Sequence, residues 1–188
     1  MDLQPTIQND LVLLRPLNKD DFEPLFQVAR DPLIWSQHRF KRYLRSEFEA
    51  FFDEIIISQS TLIIIDQSNG QIIGCSGFKR IDGFTEGLEI GSTFIARKYW
   101  GSAYNRTVKK MMINHALRYV DYVLFHVHKN NIRSQKAVEK LNGLKISSTD
   151  FKQIPLKSQD HLRYLVCNQC GPGIYETADS VAHSDWSD

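Results

Sequence analysis

Residues 88 to 116, LEIGSTFIARKYWGSAYNRTVKKMMINHA, restrict the fold more tightly than any other stretch of the chain. An alternating, β-branched run ends at Arg97-Lys98-Tyr99-Trp100 and turns through Gly101-Ser102-Ala103. Apolar positions then recur at three- and four-residue spacing, at Val108, Met111, Met112, His115, Ala116 and Tyr119, which describes one buried face of a helix. A strand, a small-residue turn and a helix in that order leave bare backbone amides at the helix start. Such amides bind anions, so the segment predicts a phosphate-bearing ligand.

Around it the chain alternates helices and hairpins. LVLLRPL at 11–17 reads as a strand ending at Pro16, with Asp20 or Asp21 capping a helix that runs to about Arg30. SEFEAFFDEIIIS carries a capping box, Ser46 with Glu49 three positions on. TLIIID and QIIGCSGFKR, joined through Asn69-Gly70, form a hairpin that residues 86–96 extend by a third strand. YVLFHVH at 122–128 is nearly continuous in apolar character and reads as a central strand. NNIRSQKAVEKLNG is the next helix, with Asn130 or Asn131 as N-cap and Gly143 at its stop. Strands at 144–151 and 161–167 complete one domain over residues 1–170; the polar tail, 171–188, is expected to be loosely attached.

Composition removes several classes. The 188 residues are 42% hydrophobic, and 23 Lys+Arg against 22 Asp+Glu leave a net charge of +1, without the basic excess of a nucleic-acid-binding surface. No apolar run approaches the roughly 20 residues that cross a bilayer. Met1-Asp2-Leu3-Gln4-Pro5 lacks the regions of a signal peptide, so a cytoplasmic protein with neither nucleic acid nor membrane as partner is expected. Cys75, Cys167 and Cys170 are too few for a disulfide framework. Cys167-Asn-Gln-Cys170 stands without a second pair, so two ordinary thiols are expected in preference to zinc or redox chemistry, and no metal. The absence of Gly-x-Gly-x-x-Gly, with strands clustered as hairpins, argues against a dinucleotide-binding fold.

LLRPLNKDDFEPLF, IIGCSGF, LEIGSTFIARKYWGSAYN, HVHKNNIRSQKAVEKLNG and DHLRYLV, in that element order, resemble the GNAT N-acetyltransferase superfamily over roughly residues 10–167. Within it the chain most resembles the branch that includes ribosomal-protein N-terminal alanine acetyltransferases. The resemblance implies an α+β GNAT fold, a mixed, mostly antiparallel central sheet flanked by helices. It also implies an acetyl-CoA-dependent N-acetyltransferase, monomeric or homodimeric, that acetylates a primary amine on a protein N-terminus or a small molecule. The pyrophosphate would sit on main-chain amides of Lys98, Tyr99, Trp100, Gly101, Ser102 and Ala103 leading into Tyr104, with Phe94 and Ile95 of the preceding strand beside the cofactor. Ala103 departs from the second glycine of the family turn. Asn131 and Ser134 match the family's Asn-x-x-Ser, in which the asparagine bonds to backbone or pantetheine and the serine can protonate the departing thiolate. Read without the family, Asn131 is equally a helix cap and Ser134 a first-turn residue.

Acetyl transfer to an amine by direct attack needs a free lone pair, a stabilised oxyanion and a proton for the leaving sulfur. Glu89 lies mid-strand in apolar surroundings, sharing a face with Gly91, Thr93 and Ile95 by two-residue alternation. Partial burial would raise its pKa toward that of a useful base. It is the candidate base, or else a carboxylate paired with a basic neighbour such as Arg80. Trp35, Gln37 and His38 form an exposed-looking cluster in a linker that, by resemblance, walls the acceptor site; Trp35 reads equally as a packing anchor. The rival function is a non-catalytic acyl-CoA-binding regulatory module.

Overall fold

The computed structural model describes residues 1–146 and 158–168. Eight strands, β1 (Ile7–Gln8), β2 (Val12–Pro16), β3 (Thr61–Asp66), β4 (Ile72–Ile81), β5 (Phe84–Ile95), β6 (Tyr122–His128), β7 (Leu144–Ile146) and β8 (His161–Cys167), form one sheet. The order is β1-β2-β3-β4-β5-β6-β8-β7, and every pairing is antiparallel except β5 with β6. Four helices, α1 (Phe22–Ala29), α2 (Arg45–Ile57), α3 (Tyr104–Ala116) and α4 (Ile132–Glu139), cover the two faces. The expected strand at 144–151 is seen only over Leu144–Ile146; its remainder, and the tail, lie outside the described residues.

Two apolar clusters explain the layering. On one face Val108, Met112, Ile113 and Ala116 of α3 and Val138 of α4 pack on Leu14, Ile64, Phe78, Ile90 and Phe125. On the other, Phe48, Phe51, Phe52 and Ile55 of α2 and Leu25 and Ala29 of α1 pack on Ile63, Cys75 and Phe94. The α3 face differs from its sequence reading at three positions. Lys109 and Ile113 are buried, while Tyr119 lies beyond the helix and is 57% exposed.

Two helix starts also differ. Asp21 holds the N-cap position of α1 but makes no cap hydrogen bond there; the turn before it is capped by Asn18, whose side chain accepts from Asp20 N–H while Asp21 Oδ2 accepts from Asn18 N–H. Asp21 is held there by the Arg15 guanidinium at 2.6 and 2.7 Å. Ser46 lies inside α2, whose N-cap position is Leu44 with no side-chain cap. An apolar face on the core suffices to fix that helix without one.

The hairpin turn after β3 is tied to the turn before α3 by a single carboxylate. Asp66, 2% exposed, accepts hydrogen bonds from the Ser68 amide and hydroxyl, the Asn69 side chain, Tyr99 Oη (2.8 Å) and Tyr104 Oη (2.9 Å). Burial alone would raise its pKa, but the hydrogen bonds from Tyr99, Ser68 and Tyr104 win and hold it well below the usual carboxylate range. A group shifted this way contributes stability that is present above its unfolded pKa of about 3.9 and is lost as pH falls through the folded value. Asp66→Asn should therefore cost roughly 2 kcal/mol or more at pH 7. The wild-type Tm advantage should shrink as pH is lowered below about 4. Urea melts at pH 7 and pH 3 check both, and an advantage that persists undiminished at pH 3 would contradict this account.

Candidate active site

The site is built where the sheet comes apart. β5 and β6 pair only at Gly87–Tyr122, Leu88–Val123 and Glu89–Leu124, yet β5 continues to Ile95 and β6 to His128. Past Glu89 the facing edges of the two strands have no strand partner among the described residues. Unpaired edge groups seek donors and acceptors, so an extended ligand arm can enter the gap as a pseudo-strand.

A β-bulge sits on that edge. Cys75 pairs with Phe94 and Gly77 with Gly91, so Ser76 faces both Ser92 and Thr93, and Ser92 carries φ +50°. One extra residue reverses the alternation. Leu88 and Ile90 face α3, but beyond the bulge it is Thr93 and Ile95 that do so, and Phe94 turns toward α1 and α2. Glu89 therefore shares its face with Gly91 but not with Thr93 or Ile95, a correction to the strict two-residue reading.

Glu89 is 7% exposed and sits 3.1 Å from His126 Nδ1 on β6. Arg80, the basic neighbour considered from sequence, is exposed on β4 opposite Leu88, whereas the imidazole of His126 lies against the Glu89 carboxylate. The contact is too poorly aligned to count as a hydrogen bond; both His126 ring nitrogens are buried without a hydrogen-bond partner. Sequence reasoning missed His126. The signal was the alternation of YVLFHVH, which puts Leu124 and His126 on one face, but only the β5–β6 register brings that face beside Glu89.

Behind the bulge lies a second buried charge, Lys109 of α3. Its Nζ donates to Ser76 Oγ (3.2 Å) and Thr93 Oγ1 (2.5 Å), with the Phe125 ring of β6 5.4 Å away. Ser76 Oγ and Thr93 Oγ1 lie 2.7 Å apart. Desolvation pulls the ammonium down to about 7. Read from sequence, Lys109 was one polar position between Val108 and Met112.

At the start of α3 the backbone forms a cradle. Gly101 has φ +75°, and a Cβ placed there would meet nothing within 4 Å, so conformation rather than crowding demands glycine. The first backbone bond into the helix is Thr107 N–H to Ala103 O, leaving the amides of Asn105 and Arg106 ahead of it. Ala103 is the N-cap and presents no capping side chain. These features fit a pyrophosphate. The side chains around the turn have other duties: Tyr99 and Tyr104 bond Asp66, Trp100 Nε1 donates to Ile95 O, Ser102 Oγ to Tyr99 O, and Lys98 lies near Gln71.

The second motif meets the first. Asn131 Oδ1 accepts the Ser134 amide and so caps α4, while the Arg133 guanidinium stacks 3.9 Å above the Trp100 ring. Arg133 also donates to Ile34 O, and its amide to Gln37 Oε1. Ser134 is partly buried one residue on.

Trp35 does not belong to an exposed cluster. It is 6% exposed, donates Nε1–H to Ala29 O at 2.6 Å, and packs against Phe94 at 5.1 Å, which makes it the anchor of the linker. Gln37 and His38 are exposed. A cavity of about 880 Å³ between α1, the β3–β4 turn and Ala96–Lys98 touches neither Glu89 nor Ser134. Among the described residues no group of three His, Cys, Asp or Glu is placed to hold a metal ion, and no helix is long and apolar enough to cross a membrane.

Comparison with solved structures places the fold. A GCN5-related N-acetyltransferase from Brucella melitensis superposes with a TM-score of 0.72 at 17% identity, covering 87% of this chain and 79% of that one. A GNAT-family acetyltransferase from Bacillus anthracis gives 0.70 at 15%, covering 87% and 98%. Spermidine N-acetyltransferase from Vibrio cholerae, in complex with CoA and spermine, gives 0.62 at 15%, covering 85% and 96%. No curated protein matches the sequence. The acetyltransferase (GNAT) domain matches residues 12–143, more than half of the chain. With the parted strands, the bulge and the helix-start cradle in place, the chain belongs to the GNAT acetyltransferase family, whose members are acetyl-CoA-dependent N-acetyltransferases.

Proposed function

We propose that this protein transfers the acetyl group of acetyl-CoA to a primary amine by direct attack within a ternary complex, with Glu89 and His126 handling the amine proton. The observation that carries the reading is the parting of β5 and β6 next to a buried carboxylate–imidazole pair. Bound acetyl-CoA supplies an activated acyl group and a thiol leaving group. The chain's own residues do the rest.

The amides of Gly101, Ala103, Asn105 and Arg106 would hold the pyrophosphate, with Lys98 adding positive charge nearby, while Arg97 is paired with Asp31. The open edge of β5 gives the pantetheine arm backbone partners, and a bulge amide is the oxyanion donor. Lys109, gripping Ser76 and Thr93, fixes the bulge that aims that amide. On the opposite face Glu89 accepts the amine proton, directly or through water, and His126 steadies the carboxylate or passes the proton on. Ser134, at the first turn of α4, returns a proton to the thiolate. Asn131 acts in this scheme through the helix start that it caps. The acceptor, a peptide terminus or a small amine, enters from the side of α1 and α2, along the wall formed by Gln37 and His38.

Three measurements test the scheme. Glu89→Gln should keep the fold and acetyl-CoA affinity but lower turnover about 10²–10⁴-fold. That loss should shrink as pH rises and the acceptor deprotonates in solution. Thiol release over an amine and peptide panel reads it; acetyl-CoA binding with no release for any acceptor would favour a non-catalytic acyl-CoA-binding module instead.

Gly101→Val should weaken acetyl-CoA binding severely in calorimetry, because a β-branched residue resists positive φ. Unchanged affinity in a folded variant would move the pyrophosphate elsewhere.

Lys109 binds its proton less readily folded than unfolded, where its pKa is about 10.4. Wild-type stability should therefore rise as pH climbs from about 7 toward 10. Lys109→Met lacks that slope, so its Tm relative to wild type should be highest at or below pH 7 and fall steadily toward pH 10. A Tm difference independent of pH would mean the ammonium is not desolvated.

A further inference from the structure

The linker between α1 and α2 is strongly basic. Residues 36–45, SQHRFKRYLR, hold Arg39, Lys41, Arg42 and Arg45 and no acidic residue. Arg45 is neutralised by Glu23 and Glu49. Arg39, Lys41 and Arg42 have no ion-pair partner among the described residues.

Arg42 is the unusual one. Its guanidinium lies 3.8 Å over the Phe51 ring, 5.0 Å from Phe40 and 5.5 Å from Trp35. Aromatic faces satisfy part of a cation's needs, yet a guanidinium carries five N–H donors, and no hydrogen bond from Arg42 to the described residues is found. Arg42 is half-buried, and its burial lowers the pKa more than the distant carboxylates of Glu54 and Glu47 raise it. Trp35 and Phe51 beneath it rest on Phe94, which puts Arg42 on the same face of the sheet as Glu89. The linker is pinned across that face by Trp35 and, through Gln37 and Ile34, by Arg133 of α4.

Resting on the acetyl-transfer reading above, we infer that Arg42 is an anion subsite of the acceptor pocket, so that the preferred acceptor is a primary amine that also bears a carboxylate. A planar guanidinium backed by an aromatic ring presents its donor fork outward, the geometry that grips a carboxylate through two parallel bonds. Arg39 and Lys41 add unpaired positive charge along the linker, which disfavours polycationic acceptors. The carboxylate can belong to a free amino acid or to an acidic side chain near a peptide's N-terminus; the shared chemistry is an acid within reach of the amine.

The test is thiol release with acceptor pairs of matched amine basicity, 4-aminobutyrate against butylamine, and with two peptides differing only by Asp or Asn at the second position. In the wild type, kcat/KM should favour the acid-bearing member of at least one pair by about tenfold or more. The pair that shows the preference tells the free acid from the peptide. Arg42→Met, which keeps an apolar stem over Phe51, should bring that ratio toward one, with acetyl-CoA affinity as the check on folding. If that variant does not fold, raising the salt concentration on the wild type should erode the same ratio. Ratios at or below one in both pairs, a ratio untouched by the variant, or a ratio untouched by salt would each overturn the inference while leaving acetyl transfer standing. No release from any amine would overturn acetyl transfer, and this inference with it.

Discussion

One extra residue in β5 governs the rest of the site. Were Ser92 a regular strand residue without its φ of +50°, Thr93 would continue on the face of Glu89 and meet α1 and α2, and Phe94 would point at α3. The bulge lets one strand serve two environments: a carboxylate face before it, a hydroxyl for Lys109 after it, and a re-aimed amide between. It also falls where pairing with β6 has already stopped, so the irregular backbone lies at an edge and not inside a ladder.

Charge is divided by the same strand. Glu89 and His126 lie on the α1–α2 side, Lys109 on the α3 side, and each is less than a tenth exposed. Buried groups of this kind are costly unless each finds a partner, and here the partners are an imidazole for the carboxylate and two hydroxyls for the ammonium. Lys109 is thus kept from a direct ion pair with Glu89, while Arg163, 3% exposed, stands opposite His126 in register on the carboxylate's side.

Much of this was legible in the sequence, and what was not has identifiable causes. The strands, the β3–β4 hairpin, the turn at Gly101 and the Asn131 cap follow from local rules of periodicity, turn chemistry and capping. Glu89 stood out because a carboxylate in an apolar strand is conspicuous. His126 and Lys109 did not, since each looks ordinary until strand register or helix rotation brings it beside a partner dozens of residues away. Ser92 is hardest of all: serine has no special taste for positive φ, so nothing local marks a bulge there. Trp35 misled for a different reason. The residues that follow it in sequence are polar and basic, while its neighbours in space are Ala29 and Phe94.

Arg133 has a role that concerns coupling more than contact. It stacks on Trp100 at the start of the cradle and donates to Ile34 and Gln37 of the linker, so one side chain and its own amide join the two walls of the crevice. Two ligands that press on the same movable joint cannot bind independently. If seating the nucleotide end shifts α4 or Trp100, the linker must respond, and whatever factor this applies to the affinity for the amine, the amine returns to the nucleotide. Under the proposed scheme, the cofactor end and the acceptor wall would then share one stacked guanidinium as their only described joint through α4.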